Sequence, residues 1–357
     1  MKITVKPAHI KTQLNAAFSA TASKSQIAAY TQLYLCADET LKIVGTDGEV
    51  THKTNVDELI IKEKGSVCVN ARKLNDIIKK LTADITIETK DDNVIVKSGR
   101  SRFKLATFNT KEYPEIELDS MAQDIKLNGK ELANGIGKVS YAMASNDVRY
   151  YLNGLHFNFT GGCLDLVATD GHRLARTEIE SDVNGISFIL PAKSVKEIQK
   201  AVNFFDEVTL SISDRLVSIQ YGNQEIINKL IDGKFPDYHR VIPTGNKNEL
   251  KIDAESFKNS ISRATILTNE KYRGVRLNIS KTEIKISANN PEQETSEDFL
   301  GCDSQVELEV GFNSDYVFAA LQSCDSETVS IMLGDSDVTP ALINDGKSQF
   351  VLMPMRL

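Results

Sequence analysis

Cysteine is sparse and scattered in this chain of 357 residues: Cys36, Cys68, Cys163, Cys302 and Cys324, the nearest two being 22 positions apart. Common metal sites use a Cys-x-x-Cys pair and secreted disulfide scaffolds crowd their cysteines, so neither reading fits. Reduced, buried thiols acting as small apolar groups are expected instead. The chain also lacks any run of about 18 apolar residues able to span a bilayer. Its opening residues lack the basic, apolar and small-residue succession of a signal peptide, and a cytoplasmic location is expected. There is no excess of positive charge either. A formal net charge of -7 argues against a protein that binds nucleic acid through overall basicity, while allowing positive charge confined to one surface. A phosphate-binding loop is missing: Gly346-Lys347-Ser348 matches its end, but Ala341 stands where the leading glycine belongs. The sequon Asn158-Phe159-Thr160 has no secretory context and carries no weight.

What is present is internal repetition. Hydrophobic content of 41% and charged content of 25% place the chain among globular proteins, with length for two or three domains. Val69-Asn70-Ala71-Arg72-Lys73-Leu74, Leu190-Pro191-Ala192-Lys193-Ser194-Val195 and Val310-Gly311-Phe312-Asn313-Ser314-Asp315 each turn a β-rich run into a helix, at spacings 190 − 69 = 121 and 310 − 190 = 120. Thr46-Asp47-Gly48 recurs as Thr169-Asp170-Gly171, 169 − 46 = 123 positions on. Such a period exceeds that of solenoid repeats, so each unit is read as a whole domain.

The three units share one order. An amphipathic helix comes first, over Pro7 to Ser19, Gly129 to Met143 and Ala254 to Thr265; Leu132, Ile136, Val139 and Met143 trace its apolar face in the second unit. Alternating strand patterns follow at Leu33 to Val44, Leu155 to Ala168 and Val275 to Ser287. A second helix starts after Asn70, Pro191 or Asn313. Further strands close each unit: Ile85 to Lys104, Val208 to Tyr221, and Val329 to Leu333 with Gln349 to Met353. This order describes an α+β domain with two helices over an antiparallel sheet. Tyr113-Pro114 with the acidic stretch Glu115 to Asp124, and then Pro243 to Asn248, mark the boundaries, giving domains 1–122, 123–246 and 247–357.

Lys193, Lys196 and Lys200 fall at steps of three and four on one helix face, and the equivalent helix of the first unit carries Arg72, Lys73, Lys79 and Lys80. The first helices add Lys6, Lys11, Lys126, Lys130, Lys138, Lys258 and Arg263. Each could be an ordinary solvated face, but recurrence at matching positions favours a shared function. Asp170-Gly171-His172-Arg173 has the composition of a catalytic cluster, yet no triad or metal spacing surrounds it, and Asp-Gly after a strand is turn chemistry; His172 and Arg173 are then exposed recognition groups. Read as a strand, Val96 to Leu105 sets Arg100, Arg102 and Lys104 on one face and Phe103 and Leu105 on the other. That is either a protected sheet edge or an interface. The third unit carries Glu292, Glu294, Glu297 and Asp298 without a nearby basic partner, and opposite charges on the first and last units suit head-to-tail association into a closed ring.

Four motifs in order then resemble the bacterial DNA polymerase III beta subunit family: Val148 to Gly154, Leu166 to Ala175, Phe235-Pro236-Asp237-Tyr238, and the terminal Met353-Pro354-Met355-Arg356-Leu357. The resemblance spans the chain. It implies three tandem DNA-clamp domains, each with two helices packed on antiparallel sheets, in a head-to-tail dimeric ring that encircles duplex DNA without reading its sequence. It further implies a non-catalytic processivity factor that needs no cofactor or metal. Partners would be the replicative polymerase catalytic subunit, a clamp loader and other proteins with Leu/Phe-type peptides. Their groove would be formed by Leu152, Thr169, Gly171, His172, Arg173, Leu174, Pro236, Arg240, Val241, Pro340, Val351, Leu352, Met353, Pro354, Met355 and Arg356. DNA contacts carry over to Lys24, Asn146, Tyr150 and Tyr151, beside the helix-face Arg72, Lys193, Lys196 and Lys200. Lys24 and Asn146 stand where familiar members have Arg and Gln. The ring contact takes Lys73, Arg100, Arg102, Phe103 and Leu105 on one side and Ile266, Leu267, Glu292, Glu294 and Glu297 on the other. The competing readings are a monomeric peptide-binding adaptor and an enzyme centred on Asp170 and His172.

Overall fold

The computed structural model describes residues 1–118, 123–269 and 271–356. The expected boundary at residue 122 and the terminal Leu357 therefore lie outside the described residues. Among these residues the chain forms six α-helices, two per repeat: α1 Pro7–Ser19, α2 Ala71–Lys80, α3 Gly129–Val139, α4 Ala192–Val202, α5 Ala254–Ala264 and α6 Ser314–Gln322. Their starts are written locally. Pro7 occupies the first turn of α1, where its missing N–H costs nothing. The Asn70, Asp253 and Asn313 side chains accept from Lys73 N, Ser256 N and Asp315 N at 3.0, 2.8 and 2.9 Å, satisfying donors that each helix start leaves open. Two first helices end earlier than their patterns suggest, giving way to 3₁₀ turns at Ser140–Ala142 and Thr265–Leu267. The long strand patterns resolve into hairpins, Leu33 to Val44 into Gln32–Ala37 and Leu41–Thr46 among them, because alternation is blind to a tight turn. The strand Ala341–Asp345 had no counterpart in the sequence pattern read for the third repeat.

By contacts the chain falls into two units, residues 1–129 with 204–230, and residues 130–203 with 231–357. The middle repeat is divided between them. In the first unit its strand Gln224–Lys229 pairs antiparallel with Val50–Val56 of repeat one, extending one run of thirteen strands. In the second unit its strand Arg173–Glu180 pairs antiparallel with Ser348–Leu352 of repeat three, making a sheet of nine. A further sheet of four strands, Thr295–Gly301, Glu283–Asn289, Gly274–Ile279 and Leu308–Asn313, belongs to repeat three.

Each unit buries its own core. In the first, Ile10, Leu14 and Ala17 of α1 and Leu74 and Ile78 of α2 pack on Leu33, Leu35, Leu41 and Ile43. Contact is close enough that a Cβ at Gly45 would lie 1.8 Å from the Ala17 carbonyl oxygen. Gly45 is thus fixed by the approach of α1 to the sheet, and a side chain there would push the helix off. In the second unit Val195, Ile198 and Val202 turn the buried side of α4 to the core, which leaves Lys193, Lys196 and Lys200 exposed.

Candidate functional site: a strand seam and its apolar cluster

The Thr-Asp-Gly repeat is one local structure built twice. Asp170 Oδ1 accepts from His172 N and Arg173 N at 2.9 and 3.0 Å, and Thr169 Oγ1 donates to the Arg173 carbonyl at 2.6 Å. In repeat one Asp47 Oδ1 accepts from Glu49 N and Val50 N at 3.0 and 2.9 Å, and Thr46 Oγ1 donates to the Val50 carbonyl at 3.0 Å. Gly48 and Gly171 sit at φ +91° and +89°, a region that favours glycine. The turn reading holds.

Arg173, expected as an exposed recognition group, is held instead. Its guanidinium donates to Asp170 Oδ2 at 3.1 Å and to the Tyr141 carbonyl at 2.7 Å, and it stacks on Tyr141 and Tyr316 at 5.1 and 4.3 Å from the ring centroids. A planar cation satisfies carboxylate, carbonyl and two ring faces together, which draws it inward. Burial pushes the Tyr141 hydroxyl above its ordinary pKa. His172 remains exposed, and its carbonyl accepts from Met353 N at 3.0 Å. Sequence reasoning passed over Arg149. Its guanidinium binds the Asp147 carboxylate at 3.0 and 2.8 Å and reaches the Asp170 carbonyl at 3.0 Å. Those bonds hold the Asp147 carboxyl down to about 2. Its signal was its place inside the Val148 to Gly154 run that carries the family resemblance.

The seam beside this turn joins residues far apart in sequence, pairing Arg173 with Leu352 and Leu174 with Val351. Leu152, Leu174 and Val351 meet Val167, Ile189, Phe235, Tyr238 and Leu342 in one buried cluster, with Ile242 and Met332 half-buried at its margin. Pro236, Arg240 and Val241 are exposed, and Arg240 pairs with Asp237 at 2.9 Å. Pro340 is half-buried, its carbonyl accepting from Asn246 Nδ2 at 2.8 Å. Met353 is 41% exposed, Pro354 and Met355 are half-buried, Arg356 is exposed, and Met355 N donates to the Gly311 carbonyl at 2.8 Å. Among the expected groove residues, Leu152, Leu174 and Val351 thus join one buried apolar cluster, while Val241 and Met353 are exposed. Two cavities of about 420 and 660 Å³ in the same unit lie elsewhere, around Lys138.

All three parts of the chain match one family: residues 1–117 the N-terminal domain of the DNA polymerase III beta subunit, 126–237 its central domain and 239–356 its C-terminal domain. The chain belongs to the DNA polymerase III beta subunit family. A beta sliding clamp of Salmonella typhimurium is 37% identical over 367 residues, covering 100% of both chains. The solved DNA polymerase III subunit beta of Pseudomonas aeruginosa superposes with a TM-score of 0.96 at 34% identity, again covering 100% of each chain. A solved Pseudomonas aeruginosa sliding clamp bound to griselimycin gives a TM-score of 0.95 at 34% identity over 100% of each chain.

Among the residues that family membership makes candidates for DNA contact, Lys24 and Asn146 follow the first helices of repeats one and two; both are exposed, and Asn146 takes φ +56°. Tyr150 is 57% exposed and packs edge-on against half-buried Tyr151 at 5.8 Å. Arg72, Lys193, Lys196 and Lys200 are exposed on the second helices. Several first-helix cations are engaged rather than displayed: Lys138 pairs with Asp325 at 2.5 Å, Lys258 with Glu255 at 2.7 Å and Arg263 with Asp298 at 2.7 Å.

Two readings of the strand and of the acidic run need correction. Arg100 lies in the turn before the strand Ser101–Phe108, not on it, because Gly99 at φ +55° reverses the chain there. Arg102 and Lys104 are exposed on that strand, while Phe103 and Leu105 pack on the repeat-one core. The acidic run does have basic neighbours: Lys285 reaches Glu297 at 2.6 Å and Arg263 reaches Asp298. Lys73, Glu292 and Glu294 are exposed, Ile266 is 77% exposed and Leu267 is half-buried.

Proposed function

We infer that this chain is the processivity clamp of a bacterial replicase: three clamp domains, 1–122, 123–246 and 247–357, that pair with a second copy to enclose duplex DNA. The observation that carries the reading is the match of all three domains to one family of sliding clamps, with relatives covered end to end. The role is tethering, not catalysis. The Asp170 carboxylate of the enzyme reading is occupied by its own turn and by the Arg173 guanidinium. Among the described residues no helix is long and apolar enough to cross a membrane.

Strand pairing supports the head-to-tail dimer. Both seams inside the chain use one register: Thr51 opposite Ile227 and Lys53 opposite Glu225 in one, Leu174 opposite Val351 and Arg176 opposite Gln349 in the other. The strand equivalent to Val50–Val56 and Arg173–Glu180 is Thr295–Gly301, which among the described residues pairs on one side only. The equivalent of Gln224–Lys229 and Ser348–Leu352 is Ser101–Phe108, whose second side pairs only at Thr107 and Phe108. Applying the register between two copies sets Arg102 opposite Glu297 and Lys104 opposite Thr295. A contact of this heterologous kind, used twice, closes on itself.

Exposed cations of the second helices would meet phosphates without reading bases. The apolar cluster at the Leu174–Val351 seam, rimmed by Met353 and Val241, would take Leu/Phe-containing peptides of the polymerase, the clamp loader and other partners; soft Met side chains suit several such ligands. The experiment is topological. After loading, the protein should stay with a nicked circular duplex through gel filtration and slide off once the circle is cut; equal retention on both forms would refute encirclement and favour a monomeric adaptor.

A further inference from the structure

Repeat one holds an open pocket of about 240 Å³ between Tyr34, Cys36, Lys42, Val44, Lys53 and Tyr113. The chain carries a filled version of the same pocket. Cross-strand partners fix the correspondence: Tyr34 opposite Val44 and Cys36 opposite Lys42 match His156 opposite Val167 and Asn158 opposite Asp165, and Lys53 opposite Val44 matches Arg176 opposite Val167. The stacked pair Tyr34 and Tyr113, at 5.5 Å, likewise matches His156 and Phe235, at 4.5 Å.

In repeat two the space is taken by the ring of Tyr238. It lies edge-on to His156 at 6.2 Å, under the Arg176 guanidinium at 5.9 Å, and its hydroxyl donates to Asp165 at 2.5 Å while accepting from Asn158 at 3.0 Å. Tyr238 follows Phe235 by three positions. The residue three positions after Tyr113 is Ile116, half-buried and without a ring, so among the described residues the slot stays open. Its chemistry is also inverted. Where Asp165 accepts a hydrogen bond from Tyr238, repeat one offers the exposed ammonium of Lys42, which can only donate.

We propose that this pocket binds a small aromatic carboxylate, its ring in the place of the Tyr238 ring and its anionic oxygen on Lys42. The space suits one ring with a short acidic arm. Tyr34 supplies the edge-on aromatic wall, and Lys53 stands where Arg176 covers the ring. Other charges face the site. Lys53 is shared with Glu225 at 3.3 Å, and Lys111, Glu115 and Glu117 stand around the pocket, so Lys42 is the group that selects for an anion. The site is separate from the Leu174–Val351 seam, which belongs to the other contact unit.

The test uses the full chain with three ring compounds of one size: phenylacetate, 2-phenylethanol and phenethylamine. Titration followed by saturation-transfer NMR should show phenylacetate binding best and the amine not at all. Lys42→Glu should weaken phenylacetate by about tenfold or more, the range for a lost charge-assisted bond. Ile116→Tyr should block it by restoring the ring found in repeat two. Lys42 is exposed and Ile116 only half-buried, and an unchanged thermal midpoint verifies folding. Binding of the amine as well as the acid, no binding of phenylacetate, or undiminished binding in folded Lys42→Glu and Ile116→Tyr would each overturn the proposal.

Discussion

Reversing the charge of Arg102 is the sharpest probe of ring closure, because the chain contains two versions of the proposed contact. At the matching position of one internal seam Lys53 and Glu225 lie 3.3 Å apart with side chains 18% and 24% exposed. A pair so partly exposed contributes about 1 kcal/mol or less. Like charges placed opposite each other across an antiparallel pair cost a similar amount, up to about 1 kcal/mol. Arg102→Glu would therefore lose about 1 and add about 1 kcal/mol at each seam, and a closed pair of chains has two seams. The total of about 4 kcal/mol corresponds to a several-hundred-fold rise in the dimer dissociation constant. Sedimentation velocity over a dilution series should show monomer for Arg102→Glu where the parent chain is dimeric, with the difference shrinking at high salt as screening takes over. Combining it with Glu297→Arg should restore most of the dimer, though not all, since Lys285 lies 2.6 Å from Glu297 and would then face a like charge. A wild-type distribution for Arg102→Glu at every concentration, or no recovery in the double reversal, would refute the register.

Met353→Ala should weaken Leu/Phe-containing peptides by about tenfold, as for an apolar group at a pocket wall, while leaving sedimentation unchanged; fluorescence anisotropy with a labelled peptide reads both chains, and equal affinities would remove Met353 from the groove. Burial holds His156 down to about 4, against about 6.5 in an unfolded chain. The unfolded state therefore takes up a proton that the folded state refuses, so stability is full above about pH 6.5 and falls towards pH 4, by about 3 kcal/mol at this site. His156→Phe keeps the stack on Phe235 and should flatten the loss of urea stability between pH 7 and pH 4.5; His52, likewise buried and held to about 4, would retain its own share of the slope. An unchanged slope would refute the assignment.

Much of the architecture was legible because its causes are local. Asn70, Asp253 and Asn313 cap the helices they precede, Thr-Asp-Gly closes its own turn, and Val195, Ile198 and Val202 set a buried stripe that leaves Lys193, Lys196 and Lys200 outside. Periodic patterning and capping chemistry act within a few residues, so the sequence displays them directly. Motif order was enough to suggest the family. Strand partners over long separations left no such trace. That Arg173 faces Leu352, or that the middle repeat is shared between two sheets, follows from edge pairing, which any antiparallel strand of suitable length can satisfy. The sequence also put Arg173 on display and Arg100 on a strand; Tyr141, Tyr316 and Asp170 drew the first inward, and the turn at Gly99 took the second, still exposed, off its strand. Tyr238 fills one pocket where Ile116 leaves its counterpart open, and that difference is invisible until strand registers bring Asp165 and Lys42 to equivalent places, because a pocket is a property of surfaces brought together and not of any segment.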